Sequence, residues 1–278
     1  MYEAAKYYRQ RIDRIFVRGS KNPSTYEKLI LKGYRPSLRP CTGFQRNFSR
    51  SARCIVEAGL CYMNNPKVAC STIKASLGQS HPSALTNVKW NPNDLQNSPF
   101  ISDFKEVVGA IRQHEISFIS CVRNPFSRLE SAWKDKILSG REPKLKALLL
   151  RDLNISEVES RDFDKFCRSL NTNNVLNAHI RPQYLNIFDD VIDFRFIGTL
   201  EYIHEFFDAI SEIAHFELHN WAPHSTKDVI GVDLSLSDEA VDTISTVYAP
   251  DFERFGYSKD PSDRTPKEKL LRSTTLIL

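Results

Sequence analysis

Glycine is scarce in this chain, with 10 among 278 residues. That scarcity excludes glycine-rich repeats, and neither an internal period nor a low-complexity tract is present. Long apolar runs are missing too. No stretch reaches the ~18 apolar residues that a membrane span needs, and Met1 to Gln10 lacks the apolar core of a signal peptide. The six cysteines (Cys41, Cys54, Cys61, Cys70, Cys121 and Cys167) form no CxxC pair and no zinc-ligand spacing. Cys61 and Cys121 sit in apolar runs, as buried thiols do, which points to a reducing compartment. The GxxxxGK[ST] phosphate loop is absent as well.

What is present is enough for a real core. Hydrophobic residues make up 41% of the chain, with 17 Phe and 10 Tyr, so global disorder is excluded. The length suits one large α/β domain. The formal net charge is only +4, but it is unevenly spread. Residues 1–53 carry 13 basic and 3 acidic side chains, and residues 123–151 carry 8 and 3. Residues 152–278 carry 12 basic and 23 acidic side chains. A positive N-terminal half joined to a negative C-terminal half points to an anionic ligand handled by the former.

Hydrophobic spacing marks out the elements. Residues 1–17 have helical spacing, and 18–43 read as a polar arm. Gly59 to Met63 reads as a buried strand, ending at Asn64-Asn65-Pro66 and leading into a helix over Ser71 to Leu77. Residues 79–100 read as loop. Asp103 to His114 reads as a helix and Ile116 to Val122 as a second strand. Pro125 is well placed as the first residue of the next helix, which runs to about Leu138 and stops at Gly140. A short helix over Asp162 to Leu170 and a strand over Asp193 to Gly198 follow. Leu200 to His215 reads as a helix, and Ser237 caps a last one running to about Tyr248. Strands alternating with helices predict a mostly parallel central sheet flanked by helices. Ligands of such sheets bind at the carboxyl ends of strands, where the turns at 64–72 and 122–125 lie.

Each turn suits an anion. Asn65-Pro-Lys-Val-Ala-Cys-Ser-Thr72 precedes a helix, whose first N–H groups and dipole favour phosphate. Ser71 and Thr72 add hydroxyls, and Lys67 adds a mobile charge. The bland alternative is an ordinary strand–helix turn with a surface Lys. In Arg123-Asn-Pro-Phe-Ser-Arg-Leu-Glu-Ser131, Arg123 sits at a strand exit and Ser131 two helical turns later, a pair able to clamp a second phosphate. Arg128, Lys134 and Lys136 read as a solvated helix face paired with Glu130 and Asp135.

Together these stretches resemble the carbohydrate sulfotransferases of the chondroitin, dermatan and HNK-1 type (sulfotransferase family 2). Pro66 to Lys74 resembles their 5′-phosphosulfate loop, and Arg123 to Lys136 their 3′-phosphate motif. His179-Ile-Arg-Pro-Gln-Tyr184 with Ile192 to Glu201 resembles their His-Trp segment and the strand after it. Tyr248 to Tyr257 resembles their C-terminal signature. The resemblance implies a P-loop-like sulfotransferase fold over 58–258, with a basic helix and arm over 1–57 and a tail over 259–278. The implied donor is 3′-phosphoadenosine 5′-phosphosulfate (PAPS), leaving PAP as product, with no metal needed. The implied acceptor is a hydroxyl of a polysaccharide, lipooligosaccharide or glycolipid.

Residue by residue, the resemblance gives Lys67 the leaving-group oxygen. It gives Val68, Ala69, Cys70, Ser71 and Thr72 the 5′-phosphate. Arg123 and Ser131 receive the 3′-phosphate, with Lys227 as a further candidate. His179 is the candidate general base, against a structural His bonded to backbone. His81, His114, Glu57 and Asp103 are weaker candidates. The sequence departs from the animal pattern in having no N-terminal anchor, no cysteine pair after the His-Trp segment, and Ile180 in place of Trp. The first two departures suggest a bacterial-type cytoplasmic protein if Met1 is the true start, or a Golgi luminal one if an anchor was removed; the third leaves the acceptor subsite without an aromatic platform for sugar at that position. Two other readings stand beside this one: a nucleotide-dependent phosphotransferase with a degenerate P-loop, and a basic module binding glycan or nucleic acid through residues 1–53. Nucleic acid is not expected as a partner of the first reading.

Overall fold

The computed structural model describes residues 47–80, 100–190, 192–214, 218 and 233–271. Its centre is a five-stranded sheet in the order β1-β2-β3-β4-β5: β1 (Ala52–Ile55), β2 (Leu60–Met63), β3 (Ser117–Val122), β4 (Phe194–Thr199) and β5 (Leu270–Leu271). β2, β3 and β4 run parallel, and β1 and β5 add antiparallel edges. Every residue of β2, and Phe118 to Val122 of β3, is buried, as expected of strands covered on both faces.

Alternation along the strands builds two cores. Leu60, Tyr62, Ile119, Cys121 and Phe196 face α1 (Cys70–Ser80), through Ile73 and Leu77, and the later helix α7 (Ile203–Ala214), through Phe206, Phe207 and Ile210. Cys61, Met63, Phe118 and Val122 face the opposite layer. That layer holds α2 (Phe104–Gln113), α3 (Pro125–Trp133), α4 (Pro143–Leu153) and α5 (Phe163–Arg168), followed by α6 (Gln183–Ile187), α8 (Asp238–Val247) and α9 (Ala249–Phe255). Trp133 anchors it, with its ring 5.0 Å from that of Phe163 and its indole N–H donating to the Ser160 carbonyl at 2.7 Å.

Helix starts follow local chemistry. Asp103 caps α2, Asn124 caps α3 with Pro125 in its first turn, and Ser237 caps α8. The helix over Pro125 to Leu138 changes character at Trp133. Lys134–Leu138 is a π-helical turn, closed by Ser139 N–H donating to the Lys134 carbonyl at 3.1 Å. The stretch after Tyr257 is not all free tail, since Lys269 to Leu271 bonds to β4. The N-terminal arm through residue 46, residues 81–99 and the Lys227 region lie outside the described residues. No described helix is long and apolar enough to cross a membrane.

One glycine is fixed by packing. A Cβ on Gly198 of β4 would meet the Phe206 ring at 2.2 Å. Gly198→Ala is expected to destabilise the fold by about 1–3 kcal/mol, the cost of overpacking a core. Thermal denaturation checks it, and an unchanged Tm contradicts the packing of α7 on β4.

Candidate active site

Three parallel strands end on the same edge of the sheet, and the site is built from the segments that leave them. After β2 the chain turns sharply through Pro66 to Ala69. Lys67 and Ala69 have φ of 71° and 55°, in the left-handed region that non-glycine residues rarely occupy. Such strain costs on the order of 1–3 kcal/mol per residue and clusters at functional sites. Asn65 offsets it by tying the loop down. Its side-chain N–H donates to the Cys121 carbonyl of β3 and to Gln183 Oε1, both at 3.1 Å, and its Oδ1 accepts from Asn186 at 3.2 Å. Val68 is fully buried, so only its main chain can serve a ligand. Cys70, Ser71 and Thr72 form the partly exposed start of α1, where helix N–H groups are unpaired by construction.

Lys67 reaches across to the π-helical turn. Its Nζ lies 2.9 Å from Asp135 Oδ2, and Lys136 Nζ lies 2.9 Å from the same oxygen. Lys136 also pairs with Glu142. Burial lowers the Lys67 pKa, while Asp135 works against that shift. Burial alone would raise the Asp135 carboxyl, but the two ammonium groups outweigh it and hold it at about 2.

His179 senses the same cations. Burial first, then Lys136, Lys67 and Arg128, push its pKa down to about 3. Its tautomer is set locally. Asn177 Oδ1 accepts the His179 backbone N–H at 3.0 Å, which identifies that atom as the acceptor. The ring Nδ1, 2.8 Å from the same oxygen, must then carry a hydrogen, leaving Nε2 with a free lone pair.

The β3 exit holds the second anion turn. Arg123 is locked at its main chain: its N–H donates to Gln183 Oε1 at 3.0 Å and its carbonyl accepts from Gln183 Nε2 at 2.8 Å. Its guanidinium reaches 3.5 Å from the Lys67 carbonyl, so the two turns adjoin. Burial lowers its pKa, offset by Glu201 and Glu130. Ser131 follows two turns along α3, 9% exposed. Glu201 accepts the Asn124 N–H at 3.0 Å and the Tyr257 hydroxyl at 2.7 Å. Arg264 joins from the C-terminal stretch, 2.8 Å from Glu130 and 3.3 Å from Ser127 Oγ.

The structure thus gathers Lys67, the loop to Thr72, Arg123 and His179 on one edge, with Ser131 on the helix that starts there. Of the other candidates, two stand apart from this edge, one caps a helix and two lie outside the described residues. Glu57 lies in the β1–β2 turn and His114 just before β3, both at the amino ends of the parallel strands. Asp103 spends its carboxylate as the α2 cap. Lys227 and His81 lie outside the described residues.

The expected i,i+4 pairing holds for Lys134, which lies 2.8 Å from Glu130, though both side chains are mostly covered; the solvated face itself is not what the fold builds. Arg128 and Lys136 depart furthest from a solvated face, at 2% and 9% exposed. The i,i+4 pattern marks partners along a helix but not which side the tertiary fold covers, and the π-helical turn redirects Lys136. Asn65, Gln183, Glu201, Arg264 and the site role of Asp135 were not evident from the sequence. Asn65 and Gln183 stand inside the quoted motifs, but only the sheet shows that each bridges two of them.

This geometry defines a class: an α/β protein with two adjoining turns at the carboxyl ends of parallel strands, the edge where such sheets take their ligands. Residues 56–258 match the model of the Sulfotransferase family. The chain belongs to that family and is a transferase of the sulfotransferase type. No curated protein and no solved structure matches it.

The depressed His179 pKa can be tested on the ligand-free protein. Its ring is expected to remain neutral from pH 8 down to pH 5 in a ¹⁵N NMR titration, because protonation moves from near 6.5 to about 3. The unfolded chain takes up that proton first, so His179 makes stability fall as pH drops from about 6.5 towards 3. A midpoint near 6.5 in the folded protein contradicts the burial and cationic surroundings described.

Proposed function

We propose that this chain moves a sulfuryl group from PAPS to a hydroxyl of a carbohydrate. The observation that carries the donor is the abutment of the two anion turns, with the Arg123 guanidinium 3.5 Å from the Lys67 carbonyl. A nucleotide bearing phosphates at both its 5′ and 3′ positions suits two such turns. The carbohydrate acceptor rests on the resemblance of the four ordered stretches between Pro66 and Tyr257.

The roles come from the resemblance, and the positions support them. The start of α1, with Ser71 and Thr72, takes the 5′-phosphate. Arg123 and Ser131 take the 3′-phosphate, by a planar cation and a hydroxyl. His179 Nε2, left with a free lone pair by the Nδ1 contact to Asn177, is the proposed base. The acceptor oxygen attacks sulfur as its proton passes to Nε2. The bond from sulfur to the 5′-phosphate oxygen breaks on the opposite side, and that oxygen leaves with the bonding pair. Lys67 exchanges Asp135 for the oxygen that gains charge. The products are a sulfate ester and PAP, with the proton on His179 to be lost to solvent. The anionic donor also offsets the cations that depress His179, so the imidazole is a stronger base when the donor is bound.

The experiment is transfer of labelled sulfate from PAPS to a panel of polysaccharides and glycolipids. Lys67→Ala is expected to cut turnover by roughly 100- to 1,000-fold, the scale of losing one group that stabilises developing charge, while PAP affinity changes little. Asp135 keeps Lys136 as a partner in that variant. Arg123→Ala is expected to weaken PAP binding by about 10- to 100-fold, as for one charged hydrogen bond. Full turnover in the first variant, or unchanged PAP affinity by calorimetry in the second, rejects the role given to that residue.

A further inference from the structure

Arg128 has no part in the reaction as written, yet it is the most deeply placed cation near it. It is 2% exposed, and none of its hydrogen-bond partners among the described residues is a carboxylate. Its donors end on three main-chain carbonyls. Nε reaches Pro66 at 3.0 Å, Nη1 reaches Arg181 at 2.9 Å, and Nη2 reaches Ala178 at 2.8 Å. Pro66 is bonded directly to Lys67, Ala178 is bonded directly to His179, and Arg181 lies two residues beyond. One planar group, anchored on α3, therefore holds both segments that carry the reacting side chains.

Such a cation is costly to bury. Burial brings its pKa down to about 10, with Asp251 and Tyr248 opposing only through space. An apolar side chain would fill the site without that desolvation cost. A guanidinium adds a rigid fork whose donors point in fixed directions.

We infer that Arg128 is a positioning residue that sets the span between Lys67 and His179. The inference rests on the sulfuryl-transfer reading above. In-line transfer places the attacking and leaving oxygens on opposite sides of sulfur. The groups serving them must therefore be held a fixed distance apart, and a misplacement of about 1 Å can cost on the order of 100-fold in rate. Arg128 touches the main chain beside each of them. Lysine carries charge but not the planar fork, so it does not replace Arg128.

The test compares Arg128→Lys and Arg128→Gln in the full chain, with kcat, donor KM, PAP affinity, melting and the pH profile measured for each. Both variants are expected to lose about 100-fold in kcat, while PAP affinity and donor KM stay within about threefold, since Arg123, Ser131 and the α1 terminus remain. The charged groups acting on His179 are Lys136, Lys67 and Arg128, with Asp135 opposing. The acid limb of kcat/KM should therefore move to higher pH in the Gln variant and stay in place in the Lys variant. Wild-type kcat in the Lys variant overturns the inference, as does a parallel fall of kcat and PAP affinity. Loss of a cooperative melt in both variants also overturns it, because Arg128 would then be a folding residue. A wild-type chain that moves no sulfuryl group from PAPS overturns the donor reading, and this inference with it.

Discussion

Two parallel strands, β2 and β3, lie side by side with Met63 level with Ser120. The rest of the site depends on that pairing. Parallel strands end on the same edge, so the loop after β2 and the turn after β3 emerge as neighbours. Ser120 fixes the register from its side chain by donating to the Met63 carbonyl at 2.7 Å. Asn65 then extends the connection beyond the last strand residue by donating to the Cys121 carbonyl. Gln183 closes the triangle, bonding Asn65 and both main-chain groups of Arg123. Asp251, buried and pushed up to about 6 by that burial, holds the start of the Gln183 helix through the N–H groups of Gln183 and Tyr184. The two anion turns are thus set by hydrogen bonds to main chain, the least adjustable part of the protein.

Around this frame the side chains are arranged as charge held in reserve. Lys67, Lys136, Arg123 and Arg128 crowd one edge of the sheet, and burial works against the charge of each. Asp135, Glu130 and Glu201 offset part of that cost. Lys67 is the clearest case: its partner in the ligand-free protein is a carboxylate that also holds a second lysine.

Local signals in the sequence carried the fold a long way. The apolar runs at 59–63 and 116–122, the Pro at the start of α3 and the Ser237 cap each act over a few residues, and each appears in the structure. Elements without such signals were not legible. β1 and β5 are edge strands of four and two residues. α4 opens with Glu142, which makes no side-chain cap bond. α9 starts again just beyond Tyr248, where the sequence marks the end of the last helix, and its first residue follows a cap with no side-chain bond. The site divides in the same way. Lys67, Arg123 and Ser131 stand in or just after turns at predicted strand ends, which marks them locally, whereas His179 is marked only by the family resemblance. For Arg128 and Lys136 the sequence points to the surface, because helical spacing cannot tell which face another layer will cover. The uneven charge that marked the N-terminal half as an anion binder also has a local meaning. Arg123 opens the basic stretch 123–151, and Arg128 and Lys136 turn inward from it.

The central claim is that the two turns read a nucleotide by both of its phosphates. Calorimetric titration with PAP and with adenosine 5′-monophosphate tests it most directly, because the ligands differ by the 3′-phosphate alone. With charged contacts from Arg123 and Ser131, each of the order that one such hydrogen bond supplies, PAP is expected to bind about 100-fold more tightly. Equal affinity for the two nucleotides would contradict the account.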